Sequence, residues 1–203
     1  MLKTCMLVCP LAKSIPDIKC DYFGIDAGAY TLASHKIMME RSIGDFDSLD
    51  EKYLQQIDRY SIKMVKLNPI KDKSDLEEGI DLALSLGYDK IYIVGASGGR
   101  LDHQYANFQL LKNTTKAKVI FLDAKNRLEV FTKGTYDVAK SVYKYFSIFA
   151  LDDSVITLEG FKYPLKYQPL TNKDIYTLSN EILDTNAKIT VHQGRVIIIQ
   201  AND

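Results

Sequence analysis

The sequence predicts an α/β protein whose first half forms a parallel sheet and whose second half forms a small antiparallel β-sandwich. From the amino terminus to about Asp123, short apolar runs alternate with segments of helical periodicity. That alternation is typical of parallel strands joined by right-handed crossovers. Beyond Asp123 the helical period disappears, and short strands separated by turn residues follow one another. We therefore expect two domains, residues 1–123 and residues 124–203.

In the first half, each apolar run is followed by a helical pattern. Strands are expected over residues 4–8, 22–25, 41–44, 62–67, 90–94 and 119–122, and helices over residues 29–35, 49–60, 74–86 and 101–112. The helix over residues 74–86 has the strongest signals, because Ser74 and Glu77 have the spacing of a capping box and Gly87 is placed to end it. Its residues Leu76, Ile80 and Ala83 form one apolar face.

In the second half, the pattern predicts strands over residues 128–132, 145–150, 155–159, 188–192 and 196–200. Gly134, Gly160 and Gly194 are expected in turns, with Gly194 at the tip of a hairpin. A sandwich of this size has a small core, so we expect it to dock onto the first half or onto another chain. Apolar residues in the last two strands favour a two-fold interface through this half.

The composition is that of a globular protein, with 46% hydrophobic and 26% charged residues. Lys plus Arg and Asp plus Glu both number 26, which argues against a nucleic-acid or membrane-surface protein. No apolar stretch approaches the length of a membrane-spanning helix. Cys5, Cys9 and Cys20 lack a His/Cys partner cluster, so we expect buried or partly buried thiols in a cytoplasmic protein.

Four polar or glycine-rich segments follow predicted strands of the first half. They are residues 26–29, 44–48, 72–75 and 95–103. The carboxyl ends of the strands in an open α/β sheet line one crevice, where ligands bind. The four segments together therefore predict a single site for a metal ion and a phosphorylated substrate.

Asp45 and Asp47 lie two residues apart at the end of a predicted strand. If the extended geometry continued, both side chains would lie on one face, and two such carboxylates repel unless a cation lies between them. Oxygen ligands without His or Cys favour magnesium over zinc. The alternative is an Asx-rich turn in which Asp45 and Ser48 cap the helix that begins near Leu49.

Asp72 and Asp75 also have structural alternatives. An acidic residue in the first turn of a helix, such as Asp75, is favoured by the macrodipole, and Asp72 suits a plain turn. The convergence of Asp45, Asp47, Asp72 and Asp75 on one crevice favours a site instead. Lys71, Lys73 and Arg100 either balance these carboxylates or hold polyphosphate oxygens.

Residues 95–99, the glycine loop, do not form a P-loop, because the Gly-x-x-x-x-Gly-Lys-Ser/Thr pattern is absent. Three glycines directly before a helix still allow backbone amides to approach an anion at the helix N-terminus. A tight turn in which Asp102 caps the helix is compatible with this role. His103 is interpreted as a structural histidine.

The sequence resembles the thiamine pyrophosphokinase family. Gly-Asp-Phe-Asp-Ser (44–48), Asp-Lys-Ser-Asp-Leu-Glu (72–77), Gly-Ala-Ser-Gly-Gly-Arg-Leu-Asp-His (95–103) and Leu-Ser-Asn-Glu (178–181) carry the resemblance, which spans nearly the whole chain. The third motif is the most specific. The resemblance implies an α/β nucleotide-binding domain followed by a β-sandwich, a homodimer, and transfer of the pyrophosphoryl group of ATP to thiamine, giving thiamine diphosphate and AMP.

The resemblance also implies site residues. Magnesium would bind Asp45, Asp47 and Asp75, with Asp72 orienting or deprotonating the thiamine hydroxyl and Arg100 neutralising the leaving group. ATP would contact a larger set of residues, namely Asp26, Gly28, Ser48, Lys73, Ser74, Gly95, Gly98, Gly99, Arg100 and Asp102. Thiamine would lie against the sandwich of the partner subunit, near Tyr163, Ser179 and Asn180.

Two departures from the family pattern are visible. Residues 26–29 read Asp-Ala-Gly-Ala where relatives often have Asp-Gly-Gly-Ala. Some relatives stack thiamine on a tryptophan that follows Gly-x-Lys, whereas this chain has no tryptophan and places Tyr163 there.

Two other functions remain open at this point. Asp-x-Asp also occurs in metal-dependent phosphohydrolases, although these usually place it after the first strand; release of phosphate from ATP without an acceptor would favour this class. A non-catalytic nucleotide- or vitamin-sensing module would bind ligands without turnover.

Overall fold

The computed structural model describes residues 2–47 and 49–203. The chain divides into two compact units, Met1–Asp123 and Ala124–Asp203. The first unit is mixed α/β and the second consists of β-strands. Within the described ranges, no helix combines the length and apolar character needed to span a membrane. The catalytic and thiamine-binding roles expected of the two halves stay predictions.

The first unit is a parallel six-stranded arrangement with four helices. Its strands are β1 (Thr4–Val8), β2 (Asp21–Ile25), β3 (Arg41–Gly44), β4 (Met64–Lys66), β5 (Lys90–Val94) and β6 (Lys118–Leu122), and its helices are α1 (Ala27–Ser34), α2 (Glu51–Arg59), α3 (Asp75–Ser85) and α4 (Leu101–Asn113). Every adjacent pair in the order β4-β3-β2-β1-β5-β6 is parallel. The prediction of a parallel sheet is therefore confirmed.

The strand order reverses between β1 and β5. The chain runs outward from β1 to β4 and then places β5 on the other side of β1. Ligands of open α/β sheets bind outside the carboxyl ends of the strands at such a switch point. Here the segment after β1 is tied to the end of β5, since the Cys9 N–H donates to Val94 O at 2.8 Å and the Leu11 N–H donates to Gly95 O at 3.3 Å.

The core of the first unit is centred on β1. Cys5, Met6, Leu7 and Val8 are fully buried, as expected of a parallel strand covered on both faces. On one face, Met6 and Val8 belong to a cluster with Leu32 of α1 and Ile57 of α2. On the other face, α3 lies so close that a Cβ on Gly79 would meet Ile25 and Leu7. Each fully buried aliphatic side chain stabilises the fold by roughly 1.5–3 kcal/mol.

The predicted cap of α3 is confirmed. Ser74 occupies the N-cap position, and its side chain accepts a hydrogen bond from the Glu77 N–H at 3.2 Å. A hydroxyl at this position satisfies one of the amides that have no partner within the helix, which is worth about 1 kcal/mol. The start of α3 is thereby fixed at Asp75, the last residue of the segment 72–75 that the sequence assigned to the site.

The cysteines have the packing role that the sequence predicts. All three are free, with Cys5 and Cys9 buried and Cys20 partly buried. Burial raises the pKa of the Cys9 thiol to about 12 and that of Cys20 to about 11. The thiols are therefore protonated near neutral pH and poorly nucleophilic.

The second unit consists of seven antiparallel strands: β7 (Asn126–Phe131), β8 (Gly134–Ala139), β9 (Tyr145–Ala150), β10 (Ser154–Glu159), β11 (Leu165–Leu170), β12 (Asn186–Gln193) and β13 (Val196–Ala201). β13 pairs with β7 and β9, and a separate sheet has the order β11-β10-β12-β8. Both groups of strands contribute to one buried cluster, which includes Phe146, Ile148, Ile156, Leu158, Ile189 and Ile198.

The sequence did not predict β8 and β11, both of which are edge strands of the four-stranded sheet. Gly134, expected in a turn, begins β8. β11 contains Pro169, and its Tyr167 has a positive φ of 46°. Proline and irregular backbone are tolerated at a sheet edge, but they weaken the strand pattern in the sequence.

The hairpin predicted at Gly194 is wrong. The turn does link β12 to β13, but β12 pairs with β10 and β8, whereas β13 pairs with β7 and β9. Gly194 therefore carries the chain from one sheet to the other. A two-residue connection between apolar strands looks the same in the sequence whether or not the strands pair with each other.

The apolar residues of β12 and β13 do not require a partner chain. Ile189, Val191, Val196, Ile197 and Ile198 are all buried within the single chain, because both strands lie between neighbours in their own sheets. The argument for a two-fold interface from these strands is therefore wrong, and the expected homodimer stays a prediction.

Candidate active site at the carboxyl edge of the parallel sheet

The predicted site segments lie at one edge of the first unit. Asp26 follows β2, Asp45 and Asp47 follow β3, Asp75 begins α3 after β4, and the glycine loop follows β5. The strands β4, β3 and β2 are adjacent and parallel, and β5 is separated from β2 only by β1. The carboxyl ends of all these strands therefore meet at the same edge of the sheet. The topology thus brings the segments together as the sequence predicts.

Asp26 is the most constrained of these carboxylates. Its backbone has a positive φ of 47° at the N-cap position of α1, and its N–H donates to Ile43 O at 2.7 Å. In the described structure its Oδ1 is buried and has no hydrogen-bond partner. Burial raises the pKa of the Asp26 carboxyl, and the charges of Asp75 and Asp45 raise it further. Backbone strain and a buried carboxylate oxygen without a partner are typical of functional sites.

Asp45 and Asp47 do not continue the strand geometry, so the prediction that they share one face is wrong. Between them Phe46 has a positive φ of 58° and is buried in the core, which turns the backbone. Asp45 Oδ1 accepts the Asp47 N–H at 3.2 Å, as in an Asx turn. Asp45 is half-buried, whereas Asp47 is exposed.

The Asx turn of the alternative interpretation is present, but Asp45 does not cap α2. α2 begins at Glu51 with Asp50 at the N-cap position, two residues later than the sequence predicts. The carboxylate of Asp45 binds an amide of the preceding turn instead of an amide of the helix. Ser48, expected to contact ATP, lies outside the described residues.

Asp75 pairs with Lys71. Lys71 Nζ lies 2.8 Å from Asp75 Oδ1, and the side chains are 17% and 24% exposed. The hydrogen bond to Asp75 is the main cause of the raised pKa of Lys71, and the charges of Asp75 and Asp45 add to it. Lys71 therefore acts as an internal counter-ion to the carboxylates. Asp75 also lies in the first turn of α3, where the helix dipole favours it.

The predicted magnesium ligands are neighbours without forming a ligand set. Among residues 2–47 and 49–203, no three His, Cys, Asp or Glu side chains are arranged closely enough to hold a metal ion. The charges of Asp45 and Asp75 nevertheless act on Asp26 and raise the pKa of its carboxyl. We call these three residues the acidic cluster. Neighbouring carboxylates repel one another, and the single ammonium group of Lys71 balances only part of their charge.

The remaining residues predicted before α3 have contacts within the chain. Lys73 Nζ lies 2.5 Å from Asp81 Oδ2, and the Ser74 hydroxyl caps the helix. Asp72 is exposed. Lys73 and Ser74 therefore have a structural role, whether or not they also contact ATP.

Gly28 has a packing role. A Cβ at this position would lie 2.0 Å from Val8 O, so only glycine allows α1 to begin directly against β1. This requirement accounts for Gly28 without a ligand.

The glycine loop is held by side chains from outside it. Its Gly95, Gly98 and Gly99 have positive φ values of 74°, 90° and 70°. Asn107 Nδ2 donates to Ala96 O at 2.8 Å, Ser97 Oγ donates to Asp123 Oδ2 at 2.8 Å, and the Gly98 N–H donates to Gln104 Oε1 at 3.1 Å.

Gln104, Asn107 and Asp123 are not among the site residues predicted from the sequence. A signal was present, since Gln104 and Asn107 are three residues apart on the helix that follows the loop and so share one face of it. Asp123 directly follows β6, and only the parallel pairing of β5 with β6 places it beside Ser97.

Arg100 and Asp102 bind each other. Arg100 Nε and Nη2 donate to the two carboxylate oxygens of Asp102 at 3.1 and 2.6 Å. This hydrogen bonding is the main reason why the pKa of the exposed Asp102 is lowered to about 2. Arg100 occupies the N-cap position of α4 without a side-chain cap hydrogen bond, and Asp102 lies inside the first turn. Asp102 is thus not the N-cap residue, but its Oδ1 accepts the His103 N–H at 2.9 Å and so satisfies one of the free amides at the start of the helix, which bears out the expected capping role in part.

In the second unit, Tyr163, Ser179 and Asn180 lie close together. The Tyr163 N–H donates to Asn180 Oδ1 at 3.0 Å, and Asn180 Nδ2 donates to Tyr163 O at 2.9 Å. Asn180 also exchanges two backbone hydrogen bonds with Phe146 of β9. Because Asn180 is buried and both atoms of its amide are engaged, it fixes the position of Tyr163.

Unlike the buried Asn180, Ser179 and Tyr163 are exposed. Ser179 has a positive φ of 57°, and its N–H donates to Ser147 Oγ at 2.9 Å. The Tyr163 side chain is 60% exposed, with Lys162 Nζ 5.7 Å from the ring centroid. The ring of Tyr163 is thus held by its backbone and available to a ligand.

Comparisons with known proteins assign both units to one family. The thiamin pyrophosphokinase catalytic domain matches residues 20–121, and the thiamin pyrophosphokinase vitamin B1 binding domain matches residues 135–196. The chain is 33% identical to thiamine pyrophosphokinase of Bacillus subtilis over 187 residues, which cover 90% of this chain and 87% of the relative.

Solved structures agree. The crystal structure of thiamine pyrophosphokinase from Bacillus subtilis matches with a TM-score of 0.86 at 30% identity, covering 99% of this chain and 100% of that one. The thiamin pyrophosphokinase from Geobacillus thermodenitrificans matches with a TM-score of 0.85 at 30% identity, covering 98% of each chain. The chain therefore belongs to the thiamine pyrophosphokinase family.

Proposed function

We propose that this chain transfers the pyrophosphoryl group of ATP to the hydroxyl of thiamine, giving thiamine diphosphate and AMP. The observation that carries the proposal is the match of the catalytic and vitamin B1 binding domains of one family to successive parts of the chain. A phosphohydrolase or a sensing module would not account for both matches. The two predicted alternatives are therefore less well supported.

We propose that Mg²⁺ binds at the acidic cluster, with Asp45, Asp47 and Asp75 as its protein ligands. The buried Oδ1 of Asp26, which has no hydrogen-bond partner in the described structure, supports a cation nearby. Oxygen donors without nitrogen or sulfur suit a hard cation. When bound, Mg²⁺ would supply charge neutralisation for the phosphate oxygens. Lys71 would then have to share Asp75 or release it.

The protein's own residues would position the reactants. Such transfers depend mostly on positioning and electrostatic stabilisation. The amides of the glycine loop and the first turn of α4 would hold the phosphates, and Arg100 would exchange its partner Asp102 for a phosphate oxygen. The thiamine hydroxyl attacks the β-phosphorus as the bond to the AMP oxygen breaks. We assign Asp72 to orient that hydroxyl and accept its proton.

We infer that the two groups of strands in the second unit pack as a β-sandwich, which their shared buried cluster supports. Tyr163 would then be the platform for the thiamine ring. A flat cationic ring gains stacking and cation–π attraction on a tyrosine, and Asn180 fixes that tyrosine. Residues 160–164, which link β10 to β11, are called the Tyr163 loop. We also propose a cytoplasmic homodimer in which the Tyr163 loop of the partner completes each site.

Separating the products of a reaction with ATP, Mg²⁺ and thiamine tests the proposed activity. AMP should form in step with thiamine diphosphate, and neither should form when thiamine is omitted. ADP together with thiamine monophosphate would contradict pyrophosphoryl transfer. Phosphate released from ATP without thiamine would support the phosphohydrolase instead.

A further inference from the structure

We propose that Gln104 and Asn107 are positioning residues of the ATP site, which hold the glycine loop in the shape that binds phosphate. The inference rests on the proposed function, because it takes the loop to be part of the ATP site. Neither residue needs to touch ATP. Their effect would be transmitted through the backbone of Ala96 and Gly98.

The contacts hold the centre of the loop at successive residues. Asn107 Nδ2 donates to Ala96 O, and Gln104 Oε1 accepts the Gly98 N–H. Between them, Ser97 Oγ donates to Asp123 Oδ2. The Ala96 carbonyl and the Gly98 N–H are thus bound by side chains of α4, and the Ser97 hydroxyl is bound by the residue that follows β6.

The loop needs such support because of its composition. Three of its five residues are glycines with positive φ. Glycine loses the most conformational freedom when it is ordered. A Cβ at Gly98 would meet nothing within 4 Å, so close packing does not hold this residue in place. Hydrogen bonds that order the loop before ATP arrives reduce the ordering cost of binding.

The helix that supplies Gln104 and Asn107 is itself anchored. Leu111 of α4 is buried, and the ring of Phe108 lies 6.4 Å from that of Phe121 on β6. Gln104 and Asn107 are three residues apart and lie on one face of α4. The loop is therefore tied to a helix that is packed on the sheet, and its shape follows the position of that helix.

The contact between Gln104 and Gly98 has a second interpretation, which predicts the opposite change in ATP affinity when Gln104 is replaced. In this interpretation Gln104 Oε1 occupies the Gly98 N–H in place of a phosphate oxygen, so the side chain competes with ATP. A competitor predicts tighter ATP binding when Gln104 is removed. A positioning residue predicts weaker binding, so the sign of the change distinguishes the two.

The experiment compares Gln104→Leu with Gln109→Leu in the full chain. Gln109 is on the same helix, about 140° around the axis from Gln104, and controls for the loss of an amide from α4. The dissociation constant of Mg²⁺–ATP, the KM for thiamine, and hydrogen exchange of the loop amides are measured. Loss of one hydrogen bond typically changes an equilibrium about threefold to tenfold.

We expect Gln104→Leu to raise the ATP dissociation constant about threefold to tenfold and to speed exchange of the Gly98 amide. The KM for thiamine and the melting temperature should match those of Gln109→Leu. Gln104→Glu keeps an acceptor for the Gly98 N–H, so it should restore slow exchange. If Gln104 only stabilised the fold, its replacement would change the melting temperature, the ATP dissociation constant and the KM for thiamine together.

An unchanged or tighter ATP dissociation constant in Gln104→Leu would overturn the inference. If that variant does not fold, Asn107→Ser provides the same test at Ala96, with the same expected change in ATP binding and the same contradicting result. A wild-type chain that does not bind ATP would overturn the proposed function and this inference with it. Wild-type binding with unaffected variants would overturn the inference alone.

Discussion

The acidic cluster of the first unit and the Tyr163 loop of the second unit are built in opposite ways. In the acidic cluster, charged groups face one another, and Asp26 Oδ1 is buried without a hydrogen-bond partner in the described structure. At the Tyr163 loop, the side-chain amide of Asn180 is hydrogen-bonded to the backbone of Tyr163, while Tyr163 itself is exposed. The first region holds more negative than positive charge, since Lys71 is the counter-ion of Asp75, and the second exposes an aromatic surface.

This difference indicates which kind of ligand each region can accept. Uncompensated buried charge costs free energy until a cation or a proton arrives. An exposed ring costs little in water, but it gains when another flat ring covers it. The acidic cluster should therefore respond to metal and pH, and the Tyr163 loop to an aromatic ligand.

The largest effect is expected from removing one charge of the acidic cluster. Asp75→Asn should keep the fold, because the side chains are nearly isosteric, and should lower the turnover number about a hundredfold or more as a metal ligand is lost. Asp81→Asn is the matched control on the same helix, since Asp81 is exposed and pairs with Lys73. Steady-state AMP formation at limiting Mg²⁺ measures the effect. Equal activity in the two variants would leave Asp75 only its helix-dipole role.

A smaller effect is expected from the Tyr163 loop. Tyr163→Ala should raise the KM for thiamine about tenfold, since stacking and cation–π attraction contribute on the order of 1–2 kcal/mol, and leave the KM for ATP unchanged. Tyr176→Ala removes another exposed tyrosine of the same unit and serves as the control. A rise in the KM for ATP of similar size would show that the ring does not act on the acceptor.

Mixing variants joins the two regions in one test. If each site uses the proposed magnesium ligands of one subunit and the Tyr163 loop of its partner, heterodimers of Tyr163→Ala and Asp47→Asn contain one complete site. Activity should then return in part on mixing. Subunit exchange proven by mass, without any recovery of activity, would place the whole site within one chain.

The smallest effect is a gain in stability. Because burial and the neighbouring carboxylates raise the pKa of Asp26, its charged form destabilises the folded chain. Asp26→Asn should raise the melting temperature by a few degrees without Mg²⁺ while lowering activity. In the wild type, the loss of unfolding free energy caused by the charged Asp26 is complete above the raised pKa. It disappears as the pH falls below the ordinary pKa of 3.8. Thermal melts of both proteins from neutral to acidic pH check this. A difference that grows as the pH falls would contradict it.

Local sequence signals predicted much of the first unit. β1, β3 and β5 have the predicted bounds, and Ser74 caps α3 as expected. These features depend on residues next to each other in the chain. The strand pattern missed β8 and β11 because edge strands need little burial, and it took Gly194 for a hairpin because sheet membership depends on partners far along the chain.

The site was predictable in its location and less so in its detail. Motif positions at strand ends placed Asp26, Asp45 and Asp75 at one edge. The turn at Phe46 was not predictable, because a positive φ in a non-glycine residue is enforced by the burial of its ring in the core. Lys71 pairs with Asp75, as one of the two predicted alternatives has it. The partners of Lys73 and Arg100, which are Asp81 and Asp102, were missed, since side-chain pairing depends on distances that the sequence does not contain.

The position of β13 has a consequence for how the protein is made. β13 lies between β7 and β9, with Val196 opposite both Phe131 and Ala150. A ribosome adding about 5–20 residues per second takes several seconds to go from Phe131 to Val196. During that interval the nascent chain holds two apolar strands whose shared neighbour has not yet been synthesised. Unpaired strand edges of this kind promote aggregation, so we expect the second unit to be prone to aggregation until β13 has been made.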